Sequence, residues 1–89
     1  MSYSSYINYT YTNYTVPTIQ ANDVAVATFS VQGVEIGDFV MVSCSIDQQQ
    51  LMIMGYVDAI NNVTVVFHNH KAQISSIGVC NLNLRIFKL

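Results

Sequence analysis

The sequence predicts an all-β fold, a small antiparallel sandwich or barrel of jelly-roll-like kind carrying an extended N-terminal arm. Three observations lead there. Apolar residues recur at every second position through several stretches, which is the period of a half-buried strand. Val, Ile, Thr and aromatic residues dominate those stretches, as pleated surfaces favour. Turn-forming Gly, Asn and Asp separate them at short intervals, and no stretch shows the 3.6-residue period of a helix.

Residues 1–20 differ from the rest. They hold five of the six tyrosines, no charged side chain, and a short echo, Asn8-Tyr9-Thr10 and Asn13-Tyr14-Thr15. Polar and aromatic residues alternate, yet no regular set of core residues accompanies them. The segment therefore reads as an extended arm that orders against a neighbouring chain. Tyr3, Tyr6, Tyr9, Tyr11 and Tyr14 are the expected partner-binding residues, because tyrosine gives contact area at low entropic cost. On this reading the arm could be deleted without unfolding the β-domain, residues 21–89.

The body begins near Asp23. Val24, Val26 and Thr28 to Val31 predict a first strand, closed by Gln32-Gly33 as a turn. Ile36-Gly37-Asp38 signals a second turn, with glycine free to take positive φ. Phe39 to Ile46 follows as a strand with Val40, Val42, Cys44 and Ile46 on one face. Asp47 to Gln50 is a polar loop. Leu51 to Ala59 predicts a strand bent at Gly55, and Asn61-Asn62 a hairpin turn. Val63, Val65 and Phe67 share one face of the returning strand. The last strand sets Cys80, Leu82, Leu84 and Ile86 on one face, opposite Asn81, Asn83, Arg85 and Phe87.

Charge narrows the function classes. Only 9% of the 89 residues are charged, against 52% hydrophobic, where a soluble protein averages roughly 25% charged. So few charges leave apolar and amide-bearing surface to be covered by other subunits, which predicts a homo-oligomer. Five acids (Asp23, Glu35, Asp38, Asp47, Asp58) outnumber three bases (Lys71, Arg85, Lys88). That balance lacks the basic footprint of a nucleic-acid binder or of a polybasic membrane contact. No apolar run approaches the roughly 18 residues of a membrane span. Met1 to Thr15 lacks the basic and apolar regions of a secretory signal, so synthesis in the cytoplasm is expected. Cys44 and Cys80 then read as free, buried thiols, with a disulfide between them as the alternative. Sequons at Asn8, Asn13 and Asn62 are chance products of an Asn/Thr-rich chain.

A search for chemistry finds no catalytic constellation, and neither an enzyme nor a cofactor is expected. His68 and His70 fall on one strand face, about 7 Å apart. They offer two metal ligands where a tetrahedral site needs four, so no metal is assigned. The carboxylates Asp38, Asp47 and Asp58 sit at turns, where aspartate caps backbone amides. Ser43 and Ser45 lack a nucleophile elbow, and no glycine-rich phosphate loop is present.

Thr28 to Phe87 resembles small β-domains of bacteriophage virion proteins, in head decoration, head-fibre and tail-fibre chains. The residues that carry the resemblance are Thr28-Phe29-Ser30-Val31, then Gly33 with Val34-Glu35-Ile36-Gly37-Asp38-Phe39-Val40. A second block runs from Gly55 through Tyr56-Val57-Asp58-Ala59-Ile60-Asn61-Asn62 to Val63-Thr64-Val65-Val66-Phe67-His68-Asn69. Leu82-Asn83-Leu84-Arg85-Ile86-Phe87 matches the final strand. The loop from Asp47 to Gln50 departs by being polar, where an apolar or Gly/Pro-rich stretch is expected. The resemblance implies a trimeric or otherwise symmetric virion part, and it carries across no catalytic residue. The expected function is capsid decoration (cement) or head fibre. The protein would be made in the host cytoplasm, sit on the surface of the phage head, and bind copies of itself and the major capsid protein or another virion protein. The alternative is a tail-fibre or host-recognition module that binds cell-surface glycan.

Overall fold

The computed structural model describes residues 5–89. Within them the chain forms six strands: β1 (Tyr6–Val16), β2 (Asp23–Ser30), β3 (Phe39–Cys44), β4 (Met52–Ala59), β5 (Asn62–Asn69) and β6 (Gly78–Phe87). They make two three-stranded antiparallel sheets, ordered β1-β6-β3 and β2-β5-β4, packed face to face as a sandwich. Only the β4–β5 connection stays within a sheet; every other connection crosses between them.

The central strands β5 and β6 supply most of the core, as central strands do when one face is buried. Val63, Val65 and Phe67 of β5 and Leu82, Leu84 and Ile86 of β6 are almost inaccessible. These are the alternating residues that the sequence assigns to core faces. Phe29, Val31, Val34, Val40, Leu51 and Val57 complete the packing. The core face expected of Phe39 to Ile46 is shorter than read: β3 ends at Cys44, and Ile46 is 38% exposed.

The expected arm is the main difference. Residues 6–16 are an edge strand of the first sheet, in register with β6 from Tyr6↔Phe87 to Val16↔Gly78. Val16 and Ile19 lie in the core at 2% exposure, and Ile19 pairs with Ser75 through two 2.9 Å backbone bonds. The period-2 alternation of the segment belongs to a strand of the same chain. A bulge hid this from the sequence. Pairing shifts between Tyr11 and Tyr14, Asn13 takes φ 55°, and its N–H donates to the Asn81 side chain at 3.0 Å. The one extra residue turns Tyr14 back toward the core, so a strict two-residue count across residues 11–14 fails.

Polar side chains fix the turns. Glu35 to Asp38 closes through Asp38 N–H to the Glu35 carbonyl, while Glu35 N–H reaches the Asp38 carboxylate. Gly37, at φ 102°, supplies the left-handed position. Asn61, at φ 62°, turns the β4–β5 hairpin, and its side chain accepts from Gly33 N–H at 2.8 Å. The irregularity of β4 falls at Asp58, between Val57 and Ala59, not at Gly55. Asn69 is wholly buried. Its amide donates to the carbonyls of Ile19, Gln20 and Gln73, and its oxygen accepts from Lys71 N–H. One side chain thus ties the β1–β2 connection to the β5–β6 loop.

Candidate functional site: the outer faces of the two sheets

The tyrosines of β1 divide between two environments. Tyr3 lies outside the described residues. Tyr9 and Tyr14 are half-buried against the core, Tyr11 is 41% exposed, and all three surround Phe29, with ring centroids 6.3, 5.7 and 5.2 Å away for Tyr9, Tyr14 and Tyr11. Burial, then the neighbouring Tyr11 and Cys80, push the Tyr14 hydroxyl above its ordinary pKa. Tyr6 faces outward beside Phe87 and lies 4.8 Å beneath the Arg85 guanidinium. Of the described expected contact residues, Tyr6 alone belongs to the outer face of its sheet.

The two outer faces differ in chemistry. On β2-β5-β4, register builds three rows: Val24–His68–Met52, Val26–Val66–Met54 and Thr28–Thr64–Tyr56. Val24, Val26, Met52, Met54 and Tyr56 are each about half exposed, and no Asp, Glu, Lys or Arg stands in these rows. Single exposed apolar residues are ordinary, whereas a contiguous group marks an interaction surface.

The outer face of β1-β6-β3 is aromatic at one end, where Tyr6, Phe87 and Phe39 form a row, and polar beyond it. Its central rows are Asn8–Arg85–Met41 and Thr10–Asn83–Ser43. These six side chains line a shallow trough of about 450 Å³. Arg85 Nε donates to Asn8 Oδ1 at 2.9 Å, and Thr10 Oγ1 donates to Asn83 Oδ1 at 3.1 Å. Asn81 and Ser45 continue the polar surface along the strands, joined by Asn81 N–H to Ser45 Oγ at 2.9 Å.

Other chemical groups stand apart. The His68 and His70 rings are 6.2 Å between centroids, and His68 shares its row with Val24 and Met52. Among the described residues, no three His, Cys, Asp or Glu side chains gather to hold a metal. Cys44 and Cys80 are free thiols; Cys80 is buried and Cys44 half-buried. Burial, then the adjacent Cys44, raises the Cys80 thiol above its ordinary pKa, the opposite of nucleophile activation. Among the described residues, no helix is long and apolar enough to cross a membrane.

Comparison with protein-family models, curated proteins and solved structures found no match.

Alternation places Asn83 and Arg85 together on the outer face of β6. The trough is not legible in the sequence because it needs β1 as a neighbour of β6. The apolar outer face was equally hidden. Val24, Val26, Met52 and Met54 look like core residues until the opposite face of each strand is seen to be buried.

Proposed function

We propose that this chain is a non-catalytic structural protein of a virion, a capsid decoration (cement) or head-fibre protein that packs against copies of itself and a repeating protein shell. The observation that carries the reading is the uncharged outer face of β2-β5-β4, centred on Val26, Val66 and Met54. Monomers carry apolar patches of roughly 300–600 Å² at most. Here six large apolar side chains stand together on three adjacent strands. A face without charge selects no charged partner, and the chain's own surface is the one on the page with matching chemistry. A neighbouring copy is therefore assigned to cover it, in the homotrimer that the virion resemblance implies. Repetition then turns modest contacts into avidity on a lattice. Particles that lack the protein should assemble but lose integrity on heating or at low salt. Particles as robust as wild type would overturn the cement reading.

The second reading, a tail-fibre or host-recognition module that binds cell-surface glycan, is favoured by the polar trough on the opposite sheet. Particles that stay robust but fail to attach to host cells would select it.

A further inference from the structure

We infer that the trough on β1-β6-β3 is a binding site for an acidic saccharide, with Arg85 taking the carboxylate. The argument begins with which polar atoms are already engaged. The Asn8 oxygen accepts from Arg85 Nε and the Asn83 oxygen accepts from Thr10. Both amide oxygens are thereby engaged, which leaves the NH2 groups as the donors these side chains can offer a ligand. The terminal guanidinium nitrogens of Arg85 add further donors, and among the described residues no carboxylate pairs with Arg85. Lys88, by contrast, is paired with both Asp38 and Glu35. The trough is thus a donor-rich surface around one cation, and it fits an acceptor-rich anion.

Arg85 is held for that task. Its Nε is bonded to Asn8 and its Cζ lies over the Tyr6 ring, so ordering it on binding costs less than ordering a free arginine. A planar guanidinium matches a carboxylate in bidentate fashion. The Asn8 amide shares Arg85's row and the Asn83 amide and Ser43 lie on the next one, in reach of ring hydroxyls, and half-exposed Met41 offers an apolar patch to a sugar's C–H face. The volume of about 450 Å³ falls among small-ligand sites. A single cation is too little for a nucleic-acid backbone. An acidic peptide would supply the carboxylate but not the hydroxyls that the flanking amides and Ser43 answer.

This proposal stands on the trough alone. It does not rest on the assembly reading, whose apolar face belongs to the other sheet. The test is titration calorimetry with three probes: a glucuronate-containing tetrasaccharide, a neutral glucose tetrasaccharide and an acidic tetrapeptide. The glucuronate probe should bind at least about tenfold more tightly than either of the others, and its binding should weaken with salt. Arg85→Gln should lose about tenfold or more. Asn83→Asp, which sets a carboxylate in the trough on an exposed position, should lose at least as much while circular dichroism stays unchanged. Met54→Glu, on the opposite sheet, should bind as wild type does, which separates this site from the assembly face. Equal binding of the neutral sugar, tighter binding of the peptide, no binding of the glucuronate probe at millimolar concentration, or indifference to both trough substitutions would each overturn the proposal.

Discussion

The Tyr14 ring lies nearly parallel to that of Phe67, with centroids 6.0 Å apart and planes 10° from each other. The contact joins the first sheet to the second through Phe67, which is fully buried. A segment that composition marks as peripheral is therefore part of what holds the sandwich together. Removing residues 1–20 would strip the core of Tyr14, Val16 and Ile19 and leave one edge of β6 unpaired. The truncated chain is expected to be unfolded by circular dichroism, and Tyr14→Ala to lose about 2–4 kcal/mol in denaturant melts. A truncated chain with native-like dichroism and a cooperative melt would restore the arm reading.

Gly55 marks a close approach of the two sheets. A Cβ placed there would lie 2.7 Å from Val40 Cγ1 and 2.8 Å from Val42 Cγ2. The glycine is needed for space, not for an unusual φ. Gly55→Ala should therefore cost about 1–3 kcal/mol through overpacking. Adding Val40→Ala should recover part of that loss, although Val40→Ala alone destabilises by opening a cavity. A double-mutant cycle reads the coupling directly; additive losses would show that the sheets do not meet at this point.

Much of this architecture is legible in the sequence, and what is not has a physical cause. The alternation of Val63, Val65 and Phe67, and of Leu82, Leu84 and Ile86, reports the core directly because each strand has one buried face. Pairing is less legible. β1 is joined to β6 across more than sixty positions, and nothing local in its own residues names that partner. Asn69 is another case. It reads as one more polar residue at a strand end, yet it is wholly buried with four hydrogen bonds, made to backbone groups that only the closed fold brings together. The candidate site suffers twice, since the trough depends on that long-range pairing and the apolar face on knowing which side of β2 and β4 is covered.

The C-terminal end is fastened by charge. The Asp38 carboxylate is nearly buried and contacts Lys88, which also lies 3.5 Å from Glu35. Burial acts to raise the Asp38 pKa, but bonds from Lys88 and from the Glu35 and Leu89 N–H groups outweigh it and hold the carboxyl below its ordinary value of 3.8. A group depressed in the folded state contributes stability that is present above its unfolded pKa and is lost as pH falls through the folded value. Lys88 behaves oppositely. Its bond to Asp38 raises it above the ordinary 10.5, so its contribution is present below that value and is lost as pH rises through the raised one. Thermal melts should show wild type losing stability as pH drops below the usual carboxylate range. Asp38→Asn should be less stable at neutral pH and flatter in acid. Parallel acid profiles for the two proteins would show that the pair does not govern this end of the fold.

The proposed assembly face lies on the opposite sheet. Met54 stands in the central row of the uncharged face, beside Val66 and across from Val26, and is 56% exposed in the single chain. Met54→Glu therefore leaves the core untouched and should keep the wild-type dichroism. In an interface the same glutamate would be a buried charge without a partner, at a cost of at least about 2–3 kcal/mol. That corresponds to roughly a hundredfold weaker association. Sedimentation at micromolar concentration should find wild type as a homo-oligomer, with a trimer's mass expected, and Met54→Glu shifted toward a single chain. Arg85→Gln, in the trough of the other sheet, should sediment as wild type does. Wild type at the mass of one chain would remove the self-association on which the reading depends. An oligomer insensitive to Met54→Glu would move the interface to another surface.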